Sequence, residues 1–443
     1  MTEISRLTFS ESLRRVARGE LTPADVMAAC LESIRQRDPV VRAFVRVHAG
    51  DHLLTQARAG QGACSGLPFA VKDVYETADL PTEFGSSLFR GNQPRADAAT
   101  VGMLRRAGAV LVGKTSTTEL AYFAPARTSN PHDRLRTPGG SSSGSAAAVA
   151  AGMVPVAFGT QTAGSTIRPA AYCGVVGYVG TFGELATRGV QQLAPSLDTV
   201  GIIARSVEDV QLMRRLLLTG AAPGSLLATE SAATTAPTAN VPATMPPATI
   251  AVLDEPVFAD LEPDMIDALG VAVKAVAGAG VALVRPVKPH VIIELTRLHE
   301  VVMAYEAART LVWEAEHSDQ LSDEMRQLLD QGWATSPETY RDVIRRIALL
   351  GADVATALAG SDAVLCPAAL GAAPLGLGST GSPACSRPWQ AMAMPTVTIP
   401  GLTDENRIPL GIQLVGQRHD DDRLLAVGRW LENILPPPPV PPG

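Results

Sequence analysis

The stretch Thr137–Gly152, TPGGSSSGSAAAVAAG, joins a run of glycine and serine to an alanine-rich segment. A flexible glycine- and serine-rich linker normally connects polar, mobile segments, whereas this one runs directly into small apolar residues suited to close packing against a sheet. We therefore interpret the stretch as a loop that leads into a packed helix. Hydroxyl groups at such a position can cap the free backbone amides of the helix, so capping remains an alternative role for each serine.

Helical patterns alternate with short apolar runs along most of the chain. The pattern predicts helices over 10–18, 23–37, 98–107, 206–218, 262–278, 291–316 and 337–358, and strands over 42–47, 67–74, 109–113, 250–253 and 281–287. This alternation is typical of an α/β fold in which helices cover both faces of a sheet.

Changes in composition divide the chain into four segments. Residues 219–249 are rich in alanine, threonine and proline and carry almost no charge, which predicts a linker or surface excursion. The segments on either side, 1–218 and 250–435, keep the same α/β rhythm, so we interpret them as two parts of one domain. The last residues, 436–443, read PPPPVPPG and are expected to form an extended, disordered tail.

Composition excludes several classes of protein. The 443 residues are 46% hydrophobic and 18% charged, as in a globular protein with a large core. The net charge is −7 and no basic run stands out, so nucleic acid is not an expected ligand. No segment has the apolar length of a signal peptide or a membrane span, which predicts a cytoplasmic protein that does not enter membranes. The five cysteines and seven histidines are scattered, so we expect reduced thiols, no metal and no other cofactor.

One motif points to nucleotide binding and is rejected on its context. Residues 108–115, GAVLVGKT, match the P-loop pattern GxxxxGK[ST]. A P-loop has a strand before its first glycine and a helix after its lysine, so that backbone amides surround the phosphates. Here a predicted helix precedes Gly108, and the four intervening residues are themselves the strand. Nucleotide binding is kept only as a remote alternative.

Two further features indicate acyl-transfer chemistry. In the turn at 159–170, GTQTAGSTIRPA, the small residues Ala163 and Gly164 allow consecutive backbone N–H groups to converge, as an oxyanion hole requires, and Ser165 follows them. Lys72 interrupts the apolar run FAVKDV, and a buried lysine that is kept neutral can act as a base. Each feature alone has an ordinary explanation, a turn serine or a lysine that reaches solvent from a strand end. Their combination, with no histidine motif, favours catalysis.

Several ordered motifs resemble the amidase signature hydrolases, and the resemblance spans most of the chain. They are LPFAVKDV at 67–74, GKTSTTELA at 113–121, PGGSSSGSAAAVAAG at 138–152, GTQTAGSTIRPAAYCGVVG at 159–177, SLDTVGIIARSVED at 196–209 and the closing segment at 394–425. The resemblance implies a large, mixed but mostly parallel twisted sheet.

The resemblance also implies a Ser-Ser-Lys triad. Ser165 matches the nucleophile, Ser141 the bridging serine after a cis peptide bond, and Lys72 the base. The oxyanion would be held by the backbone amides of Thr162, Ala163, Gly164 and Ser165. For substrate binding we expect contributions from Gly139, Gly140, Tyr122, Gln161 and Trp389.

This chain departs from the commoner family pattern near the nucleophile. Gln161 stands where an aspartate is usual, and the arginine of the motif has moved by one position to Arg168. Trp389 and Gln390 replace a common Phe-Asn pair. From these differences we expect a stand-alone hydrolase of small or aryl amides, with carbamates and esters as variants. The alternative is the glutaminase-type subunit of a tRNA-dependent amidotransferase complex. The oligomeric state is left open.

Overall fold

The computed structural model describes residues 2–220, 244–253, 257–258 and 260–442. Eleven strands of this described part form one sheet. They are β1 Phe44–Val47, β2 Pro68–Lys72, β3 Val110–Thr115, β4 Val156–Gln161, β5 Val176–Val179, β6 Thr199–Ala204, β7 Thr249–Val252, β8 Ala282–Val284, β9 Ala363–Pro367, β10 Thr396–Thr403 and β11 Pro409–Val415.

The order across the sheet is β1-β3-β2-β4-β6-β5-β10-β11-β9-β7-β8. Strand β2 is parallel to β3 and β4, and β7 is parallel to β8 and β9. The six other pairings of the described strands are antiparallel. The predicted mixed α/β sheet is confirmed, but the expectation that it is mostly parallel is wrong. Parallel neighbours need a crossover connection, whereas β10 and β11 are joined by a short turn that allows only antiparallel pairing.

Fourteen α-helices accompany the sheet in the described part of the chain. They are α1 Phe9–Ala17, α2 Pro23–Val41, α3 Gly50–Ala59, α4 Ala99–Arg106, α5 Ser143–Ala150, α6 Ile167–Cys173, α7 Val207–Thr219, α8 Pro263–Gly278, α9 Pro289–Thr310, α10 Val312–Ala315, α11 Asp323–Ala334, α12 Pro337–Ala357, α13 Arg387–Ala391 and α14 Asp421–Ile434. None of these helices is long and apolar enough to cross a bilayer.

Alternating side chains of the central strands enter two different cores. Phe69 and Val71 of β2 belong to the larger core, whereas Ala70 between them belongs to the smaller one. Strand β4 repeats this pattern, with Phe158 in the larger core and Ala157 in the smaller. Because successive side chains of a strand point to opposite faces, the sheet is covered on both faces, as predicted.

Helix α5 contains the alanine-rich part of the opening stretch and is buried along its whole length. Helices that are apolar on all sides belong in the interior of a protein. Its first turn lies so close to β3 that the N–H of Gly144 donates to the carbonyl of Ser116 at 3.0 Å. A Cβ on Gly144 would meet the carbonyl oxygen of Ala43 at 2.1 Å. The opening stretch is therefore a packed element rather than a flexible linker.

Most predicted elements are confirmed with small shifts at their ends. The strand expected over 281–287 is shorter, since only Ala282–Val284 pairs with a neighbour. Residues 221–243 of the predicted linker lie outside the described residues. Residues 436–442 form neither helix nor strand, and Arg37 donates to the carbonyl of Pro442 at 3.1 Å. The disorder expected of this tail stays a prediction.

Replacement of Gly144 by alanine should destabilise the fold by about 1–3 kcal/mol, because the added methyl group has no space beside the backbone of Ala43 and Ser116. The matched control is Gly102→Ala in α4, where a Cβ meets nothing within 4 Å and the helix should gain roughly 0.5–1 kcal/mol. Urea unfolding of the two variants measures both effects. Equal stability of the variants would contradict the packing described for α5.

Candidate active site

Parallel pairing places the ends of β2 and β4 at the same edge of the sheet. Val71 is opposite Phe158 in this pairing, so Lys72 at the end of β2 lies next to Gly159 and Thr160 near the end of β4. The Lys72 side chain is fully buried, and its Nζ lies 2.6 Å from Ser141 Oγ and 2.8 Å from Thr160 Oγ1. The lysine is therefore bonded to two hydroxyl groups away from water.

Burial lowers the pKa of Lys72 to about 7, and the nearby carboxylate of Asp198 opposes this shift. Removing the ammonium from water disfavours its charged form. No carboxylate forms an ion pair with Lys72 among the described residues. A substantial fraction of Lys72 is thus neutral at neutral pH, as a proton acceptor must be.

Ser141 follows a cis peptide bond with Gly140, as the sequence predicted. Its side chain is 2% exposed. The next residue, Ser142, donates its backbone N–H to the carbonyl of Ser165 at 3.1 Å. This bond brings together the two serine loops, which are 24 residues apart in the chain.

The other serines of the opening stretch do not cap the helix. Ser142 is the N-cap residue of α5, but its side chain makes no capping hydrogen bond. Its Oγ donates to the carbonyl of Thr160, and Ser143 Oγ donates to the carbonyl of Gly139. Ser145 Oγ donates to the carbonyl of Phe158 in β4. The expected capping role is corrected: these hydroxyl groups satisfy buried carbonyl groups and attach the loop to the sheet.

Four consecutive backbone N–H groups after β4 have no acceptor in the described part of the chain. They belong to Thr162, Ala163, Gly164 and Ser165, and all four residues line a cleft. Buried N–H groups are nearly always paired in folded proteins, so a free group next to a cleft is available to a ligand. The predicted oxyanion-hole residues therefore have backbone N–H groups free to donate to a negatively charged oxygen, which is what an oxyanion hole needs.

Gln161 holds this turn from the inside. Its Oε1 accepts the backbone N–H groups of Thr166 and Ile167 at 3.0 and 3.1 Å. Its Nε2 donates to Gln390 Oε1 at 3.1 Å, so two departures from the family pattern contact each other. The Gln161 side chain is fully engaged and 1% exposed. These bonds give Gln161 a role in positioning the turn, and its expected role in substrate binding stays a prediction.

Thr162 is held from two sides by residues that the sequence reasoning did not single out. Its Oγ1 donates to Asp198, while its carbonyl accepts from His299 Nε2 at 2.8 Å. Burial raises the pKa of Asp198 to about 7 and lowers the pKa of His299 to about 3, so this histidine is neutral. Asp198 lies in the motif SLDTVG, which could have indicated it, whereas His299 lies on α9 with no sequence signal.

An open cleft of about 280 Å³ lies beside Ser165. The oxyanion turn forms one part of its wall, and its other lining residues are Ala121, Tyr122, Phe123, Arg168, Leu193, Met303 and Pro383. Tyr122 thus lines the cleft, as expected of a binding residue, and Met303 of α9 lines it as well.

Three other predicted binding residues lie outside the lining of this cleft. Trp389 is 1% exposed and packs in the larger core, because α13 turns its side chain inwards. Gly139 and Gly140 lie under the serine loop, where a Cβ would meet Pro169 Cα at 2.9 Å and Thr380 Cγ2 at 2.7 Å, respectively. These glycines permit close packing of the loop, and their expected contact with substrate stays a prediction.

The lysine of the apparent P-loop is also accounted for. Lys114 lies within β3, is fully buried and pairs with Asp73 at 3.0 Å. It also donates to the carbonyl of Tyr75 at 2.7 Å. A lysine with these partners inside a strand is not available to a phosphate group.

Comparison with known proteins gives the family. A family model described as Amidase matches residues 25–425. The fold and the paired serine loops agree with this match, and the chain belongs to the amidase signature family. It is therefore an amidase-family hydrolase that acts on C–N bonds.

Individual relatives extend over almost the whole chain. A glutamyl-tRNA(Gln) amidotransferase subunit of Chloroflexus aurantiacus is 31% identical over 476 residues, covering 97% of this chain and 96% of that protein. A solved amidase structure superposes with a TM-score of 0.84 at 26% identity and covers 97% of this chain and 100% of its own. The peptide amidase from Stenotrophomonas maltophilia has a TM-score of 0.80 at 25% identity, with 98% of both chains covered.

The two buried lysines should respond oppositely to replacement by methionine. Lys72→Met removes a buried amine that has no carboxylate partner among the described residues, so the free energy of unfolding should change by less than about 1 kcal/mol or increase. Lys114→Met leaves Asp73 buried and unpaired, which should cost roughly 3–5 kcal/mol. Denaturant unfolding of both variants at pH 7 is the measurement. A larger loss of stability for Lys72→Met than for Lys114→Met would contradict the described environments.

Proposed function

We propose that this chain is a stand-alone cytoplasmic hydrolase of small amides, aryl amides in particular, which acts through Ser165, Ser141 and Lys72. The single observation that carries the proposal is the bond between Lys72 Nζ and Ser141 Oγ, 2.6 Å long, next to a turn with four free N–H groups. A buried base, a bridging hydroxyl and an oxyanion site are the groups that acyl transfer requires.

The reaction begins with proton transfer along the two serines. Neutral Lys72 takes the proton of Ser141, which takes the proton of Ser165 as Ser165 Oγ attacks the substrate carbonyl carbon. The carbonyl oxygen becomes negatively charged and accepts hydrogen bonds from the backbone amides of residues 162–165. Because these amides are already in position, little reorganisation is needed as the charge develops.

The C–N bond then breaks, and the proton returns along the same path to the leaving nitrogen. This step releases the amine or ammonia and leaves an ester between the acyl group and Ser165 Oγ. A water molecule repeats the attack, again with Lys72 and Ser141 as the proton relay, and releases the acid. The lysine thus replaces the histidine of other serine hydrolases.

The lining of the cleft favours substrates with an apolar or aromatic part. Most of its lining side chains are apolar or aromatic. Carbamates and esters follow the same acyl-transfer chemistry and belong to the same proposal. The second candidate, a glutaminase-type subunit, is favoured by the 31% identity to a protein named as part of an amidotransferase.

Replacement of Ser165 by alanine should lower kcat for benzamide by roughly 10⁴-fold or more, because the nucleophile is lost. Ser141→Ala should lower it by roughly 10²- to 10⁴-fold through loss of the relay. Ser145→Ala is the matched control and should retain activity. Ser145 is a buried serine of α5, and its hydroxyl group bonds to the carbonyl of Phe158 and to the hydroxyl of Thr115. Release of ammonia or amine, measured on the purified chain, reports turnover.

The same assay separates the two candidate functions. Wild type and Ser165→Ala are each assayed with benzamide, phenyl carbamate, phenyl acetate and glutamine as substrates. Hydrolysis of the small amide by the lone chain supports the proposal. Turnover of glutamine without turnover of the small amide would favour the glutaminase role, and undiminished hydrolysis by Ser165→Ala would exclude the triad.

The pH dependence should follow the protonation of Lys72. Since only its neutral form accepts a proton, kcat/KM should rise with pH through an apparent pKa of about 7. The carboxylate of Asp198, whose own pKa is raised to about 7, raises the pKa of Lys72 in its ionised form, so Asp198→Asn should move this limb of the profile to lower pH. Profiles of kcat/KM for both proteins test the assignment. A limb that stays in place or moves to higher pH in Asp198→Asn would contradict it.

A further inference from the structure

The carbonyl of Thr162 accepts a hydrogen bond from a histidine on α9. His299 Nε2 lies 2.8 Å from this carbonyl oxygen, and the imidazole is fully buried. A carbonyl group can only accept, so the ring carries its proton on Nε2. Burial, with a smaller contribution from the nearby Arg387, lowers the pKa of His299 to about 3. The ring is therefore a neutral donor toward the turn, and its Nδ1 carries a lone pair.

The other ring nitrogen is unsatisfied. Nδ1 of His299 is buried and has no hydrogen-bond partner in the part of the chain that the structure describes. A buried acceptor without a partner costs about as much free energy as one hydrogen bond contributes, or more. An apolar side chain could fill this place in the core without that cost. A contribution to the site therefore explains the imidazole better than a contribution to the stability of the fold.

The carbonyl that His299 holds belongs to the same peptide unit as one of the predicted oxyanion donors. The peptide bond from Thr162 to Ala163 is trans, so its C=O and N–H point in opposite directions. Holding the carbonyl therefore directs the N–H of Ala163 to the side opposite the imidazole. This N–H has no acceptor among the described residues, and Ala163 lines the cleft together with Ser165.

Two effects follow from this contact. A hydrogen bond to the carbonyl polarises the peptide unit, which strengthens its N–H as a donor. The bond also opposes rotation of the peptide plane, which would exchange the two groups and turn a carbonyl oxygen toward the developing oxyanion. Thr162 is held through its side chain as well, since its Oγ1 donates to Asp198.

The same face of α9 makes two further contacts near the site. Met303 lies four residues after His299 and lines the cleft, and Glu306 follows three residues later. Side chains with these spacings share one side of a helix. Glu306 accepts the backbone N–H of Ser196 at 2.8 Å and its hydroxyl group at 2.5 Å. These bonds tie α9 to the loop that carries Asp198, which fixes the position of His299 relative to the turn.

We propose that His299 is a positioning residue of the oxyanion hole, which orients and polarises the N–H of Ala163 for the substrate carbonyl oxygen. This inference rests on the proposed function and adds to it a residue that is not among those lining the cleft. Because the charge on the substrate oxygen develops only in the transition state, the contact should act on kcat and leave KM nearly unchanged.

A pair of amide variants tests the role of the N–H donor. In glutamine, Nε2 is as many bonds from Cβ as Nε2 of histidine, so His299→Gln keeps a neutral donor within reach of the Thr162 carbonyl. His299→Asn carries the same amide group one bond closer to the backbone and loses this contact. For benzamide, kcat should fall by roughly 10- to 100-fold in His299→Asn, with KM within about threefold of wild type. In His299→Gln it should fall by less than about threefold.

Leu295→Ala is the control for lost packing, because Leu295 lies one turn earlier on α9 and is fully buried. It should lower the urea concentration at the midpoint of unfolding and leave kcat near that of wild type. Unchanged kcat in His299→Asn, or an equal loss in Leu295→Ala or His299→Gln, would overturn the inference and leave the triad untouched. If His299→Asn does not fold, His299→Leu, which fills the core without a donor, replaces it in the comparison.

Binding of an anionic adduct gives a second readout that needs no turnover. When Ser165 Oγ bonds to the boron atom of phenylboronic acid and loses its proton to the relay, the boron becomes tetrahedral and negatively charged. One oxygen of the adduct then takes the place of the oxyanion. The Kd, measured by calorimetry, should rise by roughly 10- to 100-fold in His299→Asn and stay near that of wild type in His299→Gln.

The two readouts separate failure of the inference from failure of the proposed function. If wild type does not hydrolyse benzamide but its boronate affinity depends on His299 in this way, the proposed substrate class fails and the inference is supported. Equal boronate affinity in wild type and His299→Asn would overturn the inference alone. Absence of both hydrolysis and binding in wild type would overturn the proposed function together with the inference.

Discussion

Burial of Lys72 is the constraint on which the rest of the site depends. The side chain lies at the end of a central strand, away from water, with two hydroxyl partners and no paired carboxylate. Desolvation lowers its pKa to about 7 and so makes a lysine usable as a base near neutral pH. The parallel pairing of β2 with β4 provides one of these hydroxyl groups, and the loop at Gly140–Ser141 provides the other.

The turn at residues 162–165 is held in place by side chains and not by hydrogen bonds from its own backbone N–H groups. Its residues are small or polar, and among the described residues their backbone N–H groups have no acceptor. The turn is held by side chains from distant parts of the chain, namely Gln390, Asp198 and His299. Gln161 and Gln390 both depart from the commoner family pattern. Because their side chains are hydrogen-bonded to each other, each of the two unusual residues supplies a partner for the other.

Particular elements show how far prediction from sequence reached. Apolar periodicity and turn residues located most helices and strands, because local patterns reflect which face of each element is buried. The sequence also indicated Lys72, Ser141 and the turn at 162–165 as one constellation, and the structure places them together. The orientation of the strands was predicted less well, since pairing depends on how distant segments meet. The position of Trp389 also depends on how distant segments meet. From the sequence it was expected at the binding site, whereas α13 places its side chain in the larger core.

The sequence by itself determined the family, the α/β class and the ordered lysine and serine motifs, because these depend on residue types at fixed spacings. Only the tertiary structure decided which neighbours each motif has. Asp198 and His299 meet Thr162 through long-range packing, and Gln161 faces inwards because two backbone amides and Gln390 satisfy it. Burial and partners set the chemistry of such groups, and both arise from contacts between residues far apart in the chain.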